Sequence, residues 1–362
     1  MLLAVLVAVA VAVGVAVASG GGEPEPSPAL AALRTQDGRI VDVGGREVRL
    51  RGFNAAPVWR EDPGATWDAA HYERIREGGF NVVRFFIHWS DFEPQRGRFD
   101  ERHLRTLDLA MRRARDAGLY VVLDVIHLFD GEAFVPAWAR TGDALTAVQR
   151  SAQGYLRMIA ARYADEPGLA ALDPVNEPST SPPDQDRILR MYDAMIALIR
   201  REAPEKIVMI EPSFGDSSME RADLALLRDK RNVVFSLHDY YAGGAGDGYA
   251  RDGAQLGAGD GARYAWDGTT GYDEVVPREL EEHLLVNLEL LKRAGIPVWV
   301  GEFGMDPEAP NARRWIRDKV ALYDRYGVGY AWWLYGFEDS TAPLERSSKA
   351  FKPFVRDLMP RG

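Results

Sequence analysis

Short apolar runs rich in Val, Ile, Leu, Phe and Trp alternate along the chain with stretches whose apolar residues recur every three or four positions. The short runs fall at Val48–Phe53, Val82–Phe86, Tyr120–Val125, Leu169–Val175, Ile207–Ile210, Val233–Leu237, Pro297–Val300 and Gly329–Leu334. Their β-branched and aromatic content and the turn residues around them predict strands. Between them, Asp108–Ala117, Ser151–Tyr163, Asp186–Glu202 and Glu279–Ala294 are amphipathic at helical spacing. Ala117-Gly118 and Ala294-Gly295 supply helix stops before the next strand. Strands alternating with helices predict a parallel sheet covered by helices. Eight of them predict an α/β protein built as a single (β/α)8 TIM barrel. The competing architecture, an open doubly wound sheet, needs a Gly-rich phosphate turn after its first strand. That position holds Asn54-Ala55-Ala56-Pro57. Ahead of the first strand, Asp37-Gly38-Arg39 and Gly44-Gly45 predict the turns of a small N-terminal β-hairpin that caps the barrel bottom.

Composition narrows the context. Residues 1–18, MLLAVLVAVAVAVGVAVA, are almost wholly apolar, and Ala16-Val17-Ala18 has the small-x-small pattern of a signal-peptidase site. No Lys or Arg precedes the apolar run, so a membrane anchor is the alternative. Residues 19–32, with their Gly, Pro and Glu, predict a flexible linker, and 33–362 the catalytic domain. Either way the barrel is expected outside the cytoplasm, secreted or held on the outer face of the membrane. The net charge of −10 disfavours nucleic acid as a partner. The chain has no cysteine, which removes disulfides, thiolate metal sites and cysteine nucleophiles from consideration.

Barrel chemistry gathers at the C-terminal ends of the strands. Read in order, those ends carry Asn54; Arg84 with His88-Trp89; Asp124 and His127; Asn176-Glu177-Pro178; Glu211; His238-Asp239-Tyr240; Glu302-Phe303-Gly304; and Trp332-Trp333. A lone Glu at a strand end is most often a salt-bridge partner. Two of them, Glu177 and Glu302, close strands three apart in the ring and can face each other across the mouth. Hydrolysis of a glycosidic bond needs such a pair, about 5–5.5 Å apart for a covalent intermediate or about 6.5–9.5 Å for an inverting water. His71, His88, His103, His127, His238 and His283 show no tight metal-ligand spacing, and Gly-x-Ser-x-Gly is missing. No metal or cofactor is expected.

The segments LRGFN (Leu50–Asn54), GFNVVRFFIHWSDFEP (Gly79–Pro94), VVLDVIH (Val121–His127), NEP (Asn176–Pro178), HDY (His238–Tyr240), GEFG (Gly301–Gly304) and YAWWLYG (Tyr330–Gly336) occur in this order. From about Arg39 onward the chain resembles glycoside hydrolase family 5, and its opening third resembles the endoglycosylceramidase-like branch. The resemblance implies that Glu177 is the acid/base and Glu302 the nucleophile of a retaining reaction. It implies that Arg84 keeps Glu302 ionised, Asn176 bonds the sugar 2-hydroxyl, Tyr240 donates to Glu302, His127 and His238 line the subsite, and Trp333 floors it. Trp332 and Trp333 can exchange roles at this stage. Val125 and Ile126 separate Asp124 from His127, where the family has one residue, and Pro174 lies inside the fourth strand. A β-glucan or cellulose-type glycan is the expected substrate. The alternative is a glycolipid, with Phe129, Phe134, Val135 and Trp138 as an apolar surface, and a non-catalytic carbohydrate-binding barrel is a third reading. The segment Ala242–Gly271 is expected to shape the mouth through Tyr264 or Trp266, and the enzyme is expected to act as a monomer.

Overall fold

The computed structural model describes residues 30–59, 62–128, 134–180, 182–214, 218–220, 222–227, 229–240, 275–305, 311–336, 343–345 and 348–359. Residues 1–18, most of the linker, Phe129 and the whole of Ala242–Gly271 lie outside them. Among the described residues no helix is long and apolar enough to cross a membrane.

Strands β1 (Leu33–Gln36) and β2 (Arg39–Asp42) form the predicted hairpin. Asp37 and Gly38 make its turn with φ of 51° and 71°, the two positive angles of a type I′ connection. Eight further strands close a parallel barrel: β3 (Arg51–Ala55), β4 (Val82–Phe86), β5 (Tyr120–Asp124), β6 (Leu169–Asp173), β7 (Ile207–Ile210), β8 (Val233–His238), β9 (Val298–Phe303) and β10 (Gly329–Trp332). Strand β10 pairs back onto β3. Around them run α1 (Ala69–Glu77), α2 (Trp89–Phe92), α3 (Glu101–Asp116), α4 (Ala144–Ser151), α5 (Gln153–Arg162), α6 (Gln185–Glu202), α7 (Val275–Arg293), α8 (Ala312–Tyr326) and α9 (Pro353–Arg356). Asp68, Asp100, Asp143 and Asp184 cap α1, α3, α4 and α6 by accepting first-turn N–H groups.

Several boundaries move from their expected places. The first barrel strand starts at Arg51 because Val48 donates to the Ile40 carbonyl and Glu47 bridges Val41, extending the hairpin. The fourth ends at Asp173, just short of Pro174, which has no N–H for the ladder. The last ends at Trp332 instead of Leu334. Strand β9 runs past the expected Val300 to Phe303 and takes Glu302 into the sheet. The helix expected over Ser151–Tyr163 is α5, which starts at Gln153 after a break at Ala152, and α1, α2, α4, α8 and α9 are additional to the helices the pattern predicts.

Alternation along the strands divides the core. Val82, Val122, Ala171, Met209, Val234 and Ala331 fill the barrel, with Leu33 and Ile40 of the hairpin joining the same cluster from below. Val83, Phe85, Leu123, Leu172, Ile210 and Phe235 belong to the larger cluster under the helices. Two residues beyond an interior apolar position, the same parity delivers Arg84, Asp124, Asp173 and Glu211, all buried. The barrel interior is therefore apolar at the bottom and ionic at the mouth.

Candidate active site

Arg84 is the hub of the ionic layer. Its Nε and Nη2 donate to Asp173 Oδ2 at 3.1 and 2.9 Å, and Nη2 also donates to Asn176 Oδ1 at 2.7 Å and Glu211 Oε1 at 3.1 Å. Nη1 donates to Asn54 Oδ1 at 3.0 Å and Glu302 Oε1 at 2.8 Å. Burial opposes the charge of this guanidinium, yet Asp173, Asp124, Glu302 and Glu211 hold it protonated well above its ordinary value.

The motif around Glu302 has a steric reason. A Cβ on Gly301 would stand 2.3 Å from Ser236 Oγ and 3.1 Å from His238 Nε2, and one on Gly304 would stand 2.4 Å from the Trp333 carbonyl. Only glycine on both sides lets β9 approach its neighbours closely enough to set Glu302 into the mouth. Its Oε2 accepts from the Tyr240 hydroxyl at 2.9 Å. Burial pushes the Glu302 carboxyl above the ordinary range, against the pull of His238, Arg84 and the Tyr240 hydrogen bond. Arg84 thus meets Glu302 as expected, but desolvation outweighs it.

Glu177 follows β6 with φ of 47°, a left-handed conformation uncommon outside glycine. Its N–H donates to Glu211 Oε2 at 2.7 Å, and its Oε1 lies 2.9 Å from His238 Nδ1. Burial foremost, and then the Glu302 charge, raise its pKa, while the His238 contact lowers it. One oxygen of Glu177, one nitrogen of His238 and one oxygen of Glu302 lie within 4.8 Å of one another. Such a trio can ligate a metal ion. Glu211, Glu302 and Glu177 outweigh burial and raise His238 well above its usual pKa.

The remaining candidates converge on the same mouth. His127 Nδ1 sits 2.7 Å from Asp124 Oδ2, so the two residues between them do not prevent the pairing. Burial keeps His127 well below its usual pKa, and the nearby charges of Arg84 and His88 add to this. The two tryptophans separate cleanly. Trp332 is buried in the wall against Phe53, Phe303 and Phe354, whereas Trp333 is half-buried, stacked on Phe86 at 5.1 Å and parallel to His127 at 5.9 Å. Asn176 turns its oxygen to Arg84, and its Nδ2 is buried without a partner among the described residues.

Sequence reasoning placed Asn54, Asp124 and Glu211 at strand ends without a role and left Asp173 unassigned inside the fourth strand. All four are buried in the layer. Burial pushes Asp124 up to about 8, helped by the charge of Asp173 and opposed by Arg84. Burial and Glu211 push Asp173 up to about 7. For Asp124, Asp173 and Glu211 the available signal was parity, since each lies two residues beyond an apolar interior position, Val122, Ala171 and Met209.

Known proteins resemble this chain over most of its length. It is similar to the cellulase/esterase CelE of Acetivibrio thermocellus, at 24% identity over 345 residues, 83% of this chain; the chain spans 39% of that relative's length. A crystal structure of endogalactoceramidase superposes with a TM-score of 0.66 at 24% identity, covering 91% of this chain and 84% of that one. Thermotoga maritima Cel5A with mannotriose gives 0.69 at 19% identity over 86% and 98%. A Saccharophagus degradans β-glucanase with cellotetraose gives 0.67 at 17% over 91% and 93%. The family described as cellulase, glycosyl hydrolase family 5, matches residues 41–339, and the chain belongs to that family.

Proposed function

We propose that this protein is a retaining β-glycoside hydrolase acting on a β-linked glycan of the β-glucan or cellulose type. One observation carries the mechanism: Glu177 and Glu302 present oxygens within 4.8 Å of each other across the mouth. That closeness favours the roughly 5–5.5 Å of a nucleophile and an acid/base over the roughly 6.5–9.5 Å at which an inverting pair holds a water. In the first step Glu302 attacks the anomeric carbon while Glu177 gives its proton to the leaving oxygen. In the second Glu177 takes a proton from water, which displaces Glu302 from the sugar. Burial and the Glu302 charge favour protonated Glu177 in the resting site. Forming the ester neutralises Glu302, and the loss of its charge lets Glu177 act as a base. The unpartnered Asn176 Nδ2 is the donor for the sugar 2-hydroxyl, and Trp333 is the ring platform.

The glycolipid reading has its own support. His88 and Phe134 stack at 4.1 Å beside His127, extending the aromatic wall beyond Trp333 and Phe86. A lipid aglycone would suit such a wall. Secretion, or anchoring on the outer membrane face, follows from the apolar first 18 residues. The deciding experiment screens aryl β-glycosides, polymeric β-glucans and glucosylceramide-type lipids, with the first-formed anomer followed by NMR. Retention on a glucan is the expected result. Inversion overturns the mechanism, and release from lipids alone replaces the substrate.

A further inference from the structure

We propose that Glu211 is a positioning residue for the acid/base group, holding Glu177 at both ends from beneath the mouth. The inference rests on reading Glu177 as the acid/base. At one end the hold is direct, because Glu211 Oε2 accepts the Glu177 N–H at 2.7 Å, a charge-assisted bond that sustains its left-handed φ of 47°. At the other end it acts through an imidazole. Glu211 Oε1 lies 3.3 Å from His238 Nε2, an ion-pair contact without hydrogen-bond geometry, and His238 Nδ1 lies 2.9 Å from Glu177 Oε1.

The same carboxylate reaches the opposite side of the site. Its Oε1 accepts from Arg84 Nη2 at 3.1 Å, and Arg84 Nη1 donates to Glu302. Glu211 is 2% exposed and lies below the groups that meet substrate, so it is not a catalytic residue in its own right. The charged groups facing it are Arg84 from β4, Asp173 from β6 and, from β8 and β9, His238 and Glu302, with the Tyr192 hydroxyl of α6 nearby. Those facing Glu177 are His238, Glu302 and His127.

Two consequences follow from this geometry. An anionic Glu211 favours the charged form of His238, and charged His238 favours the ionised form of Glu177. Glu211 therefore sets how readily Glu177 releases its proton. Its two oxygens also accept in two directions at once. Glutamine has a single acceptor oxygen, so Gln would turn its NH2 either toward the Glu177 N–H or toward the guanidinium. Aspartate keeps the charge on a shorter stem.

The test compares wild type, Glu211→Gln, Glu211→Asp and Glu177→Gln. It measures kcat/KM on a phenyl β-glycoside, whose poor leaving group needs an acid, and on the 2,4-dinitrophenyl glycoside, which does not. Profiles run from about pH 4 to 9, with thermal melts as a fold check. Glu211→Gln should lose about tenfold or more on the phenyl substrate and less than about threefold on the dinitrophenyl one. Its alkaline limb should move up as His238 loses its charge partner, and Glu211→Asp should move it back. Equal losses on both substrates with an unmoved limb would reduce Glu211 to a structural role and overturn the proposal. If Glu211→Gln fails to fold, Glu211→Asp carries the test through the leaving-group ratio: its shorter stem should cost more on the phenyl than on the dinitrophenyl substrate while the limb stays near wild type, and a wild-type ratio overturns the proposal. Glu177→Gln is the separate control: no leaving-group selectivity there would sink the acid/base reading itself, whatever Glu211 does.

Discussion

His238 and Asp239 are neighbours in the chain, yet they enter two ionic clusters of opposite design. His238 points into the barrel, where it and Arg84 face the carboxyls of Asp124, Asp173, Glu177, Glu211 and Glu302. Asp239 points out toward the helices. Its Oδ1 accepts from Lys319 Nζ at 2.5 Å and its Oδ2 from the Tyr323 hydroxyl at 2.9 Å, with His283 at 3.5 Å. In the inner cluster, Asp124 Oδ1, Asp173 Oδ1 and Asn176 Nδ2 are buried without partners among the described residues. In the outer one, both carboxylate oxygens are satisfied. Despite burial, Lys319 and His283 hold Asp239 well below the usual carboxylate range. Burial draws Lys319 below its own usual value while Asp239 pulls it back. The balanced cluster ties strand β8 to α8. The overloaded one keeps protons within reach of the mouth and stores unmet electrostatic demand where substrate would bind. Buried charge serves stability when it is matched and chemistry when it is not.

The sharpest way to break this contrast is Glu302→Ala. It should cost at least about 10³-fold in kcat, because it removes the proposed nucleophile. Its melting temperature should hold or rise, since one of the crowded carboxyls is gone. Added azide should give a glycosyl azide of inverted configuration, read by NMR. Near-normal turnover would remove Glu302 from the role of nucleophile.

The mirror experiment is Lys319→Met. Leaving Asp239 buried and unmatched should destabilise the fold by about 3–5 kcal/mol in urea melts. The activity of the remaining folded fraction should stay within about threefold of wild type. A stable but inactive variant would show that the outer cluster also serves the chemistry.

The smallest effect lies in the pH dependence of stability. Asp124 and Asp173 have folded pKa values of about 8 and about 7, above the 3.8 of an unperturbed Asp. Between about pH 4 and 8 the folded protein keeps protons there that the unfolded chain releases, so these groups make stability fall as pH rises through that window. Asp239 works in the opposite sense. Its contribution is present above about pH 4 and is lost as the pH drops below that. Asp173→Asn should flatten the decline between about pH 5 and 7 in a series of melts. An unchanged slope would mean that Asp173 does not hold a proton there.

Much of this was legible from the chain. The alternation of runs located the eight barrel strands and the hairpin, because strand and helix periods differ and the turns carry Gly or Asp at positive φ. Strand ends were less visible where the chain pairs outside the barrel, as at Val48, or where a bulge changes register, as between Leu237 and His238. Glu177, Glu302, Arg84 and the residues around them could be singled out because they punctuate apolar runs. The order of Trp332 and Trp333 could not, since either parity satisfies an apolar strand; packing against Phe53 and Phe303 decides it. Asp173 and Glu211 went unassigned because a carboxyl in a short strand says nothing of its partners until the barrel closes and brings Arg84 across to it.

The hairpin at the barrel floor fixes a direction for the whole molecule. The Thr35 N–H donates to Asn232 Oδ1 at 2.9 Å, and the Tyr120 hydroxyl donates to the Ala31 carbonyl at 2.9 Å, so the chain enters at the end where the strands begin. Glu177 and Glu302 stand at the end where they finish. The described chain therefore begins at the end of the barrel opposite the two carboxyls, and the mouth is left to the segments that follow the strands.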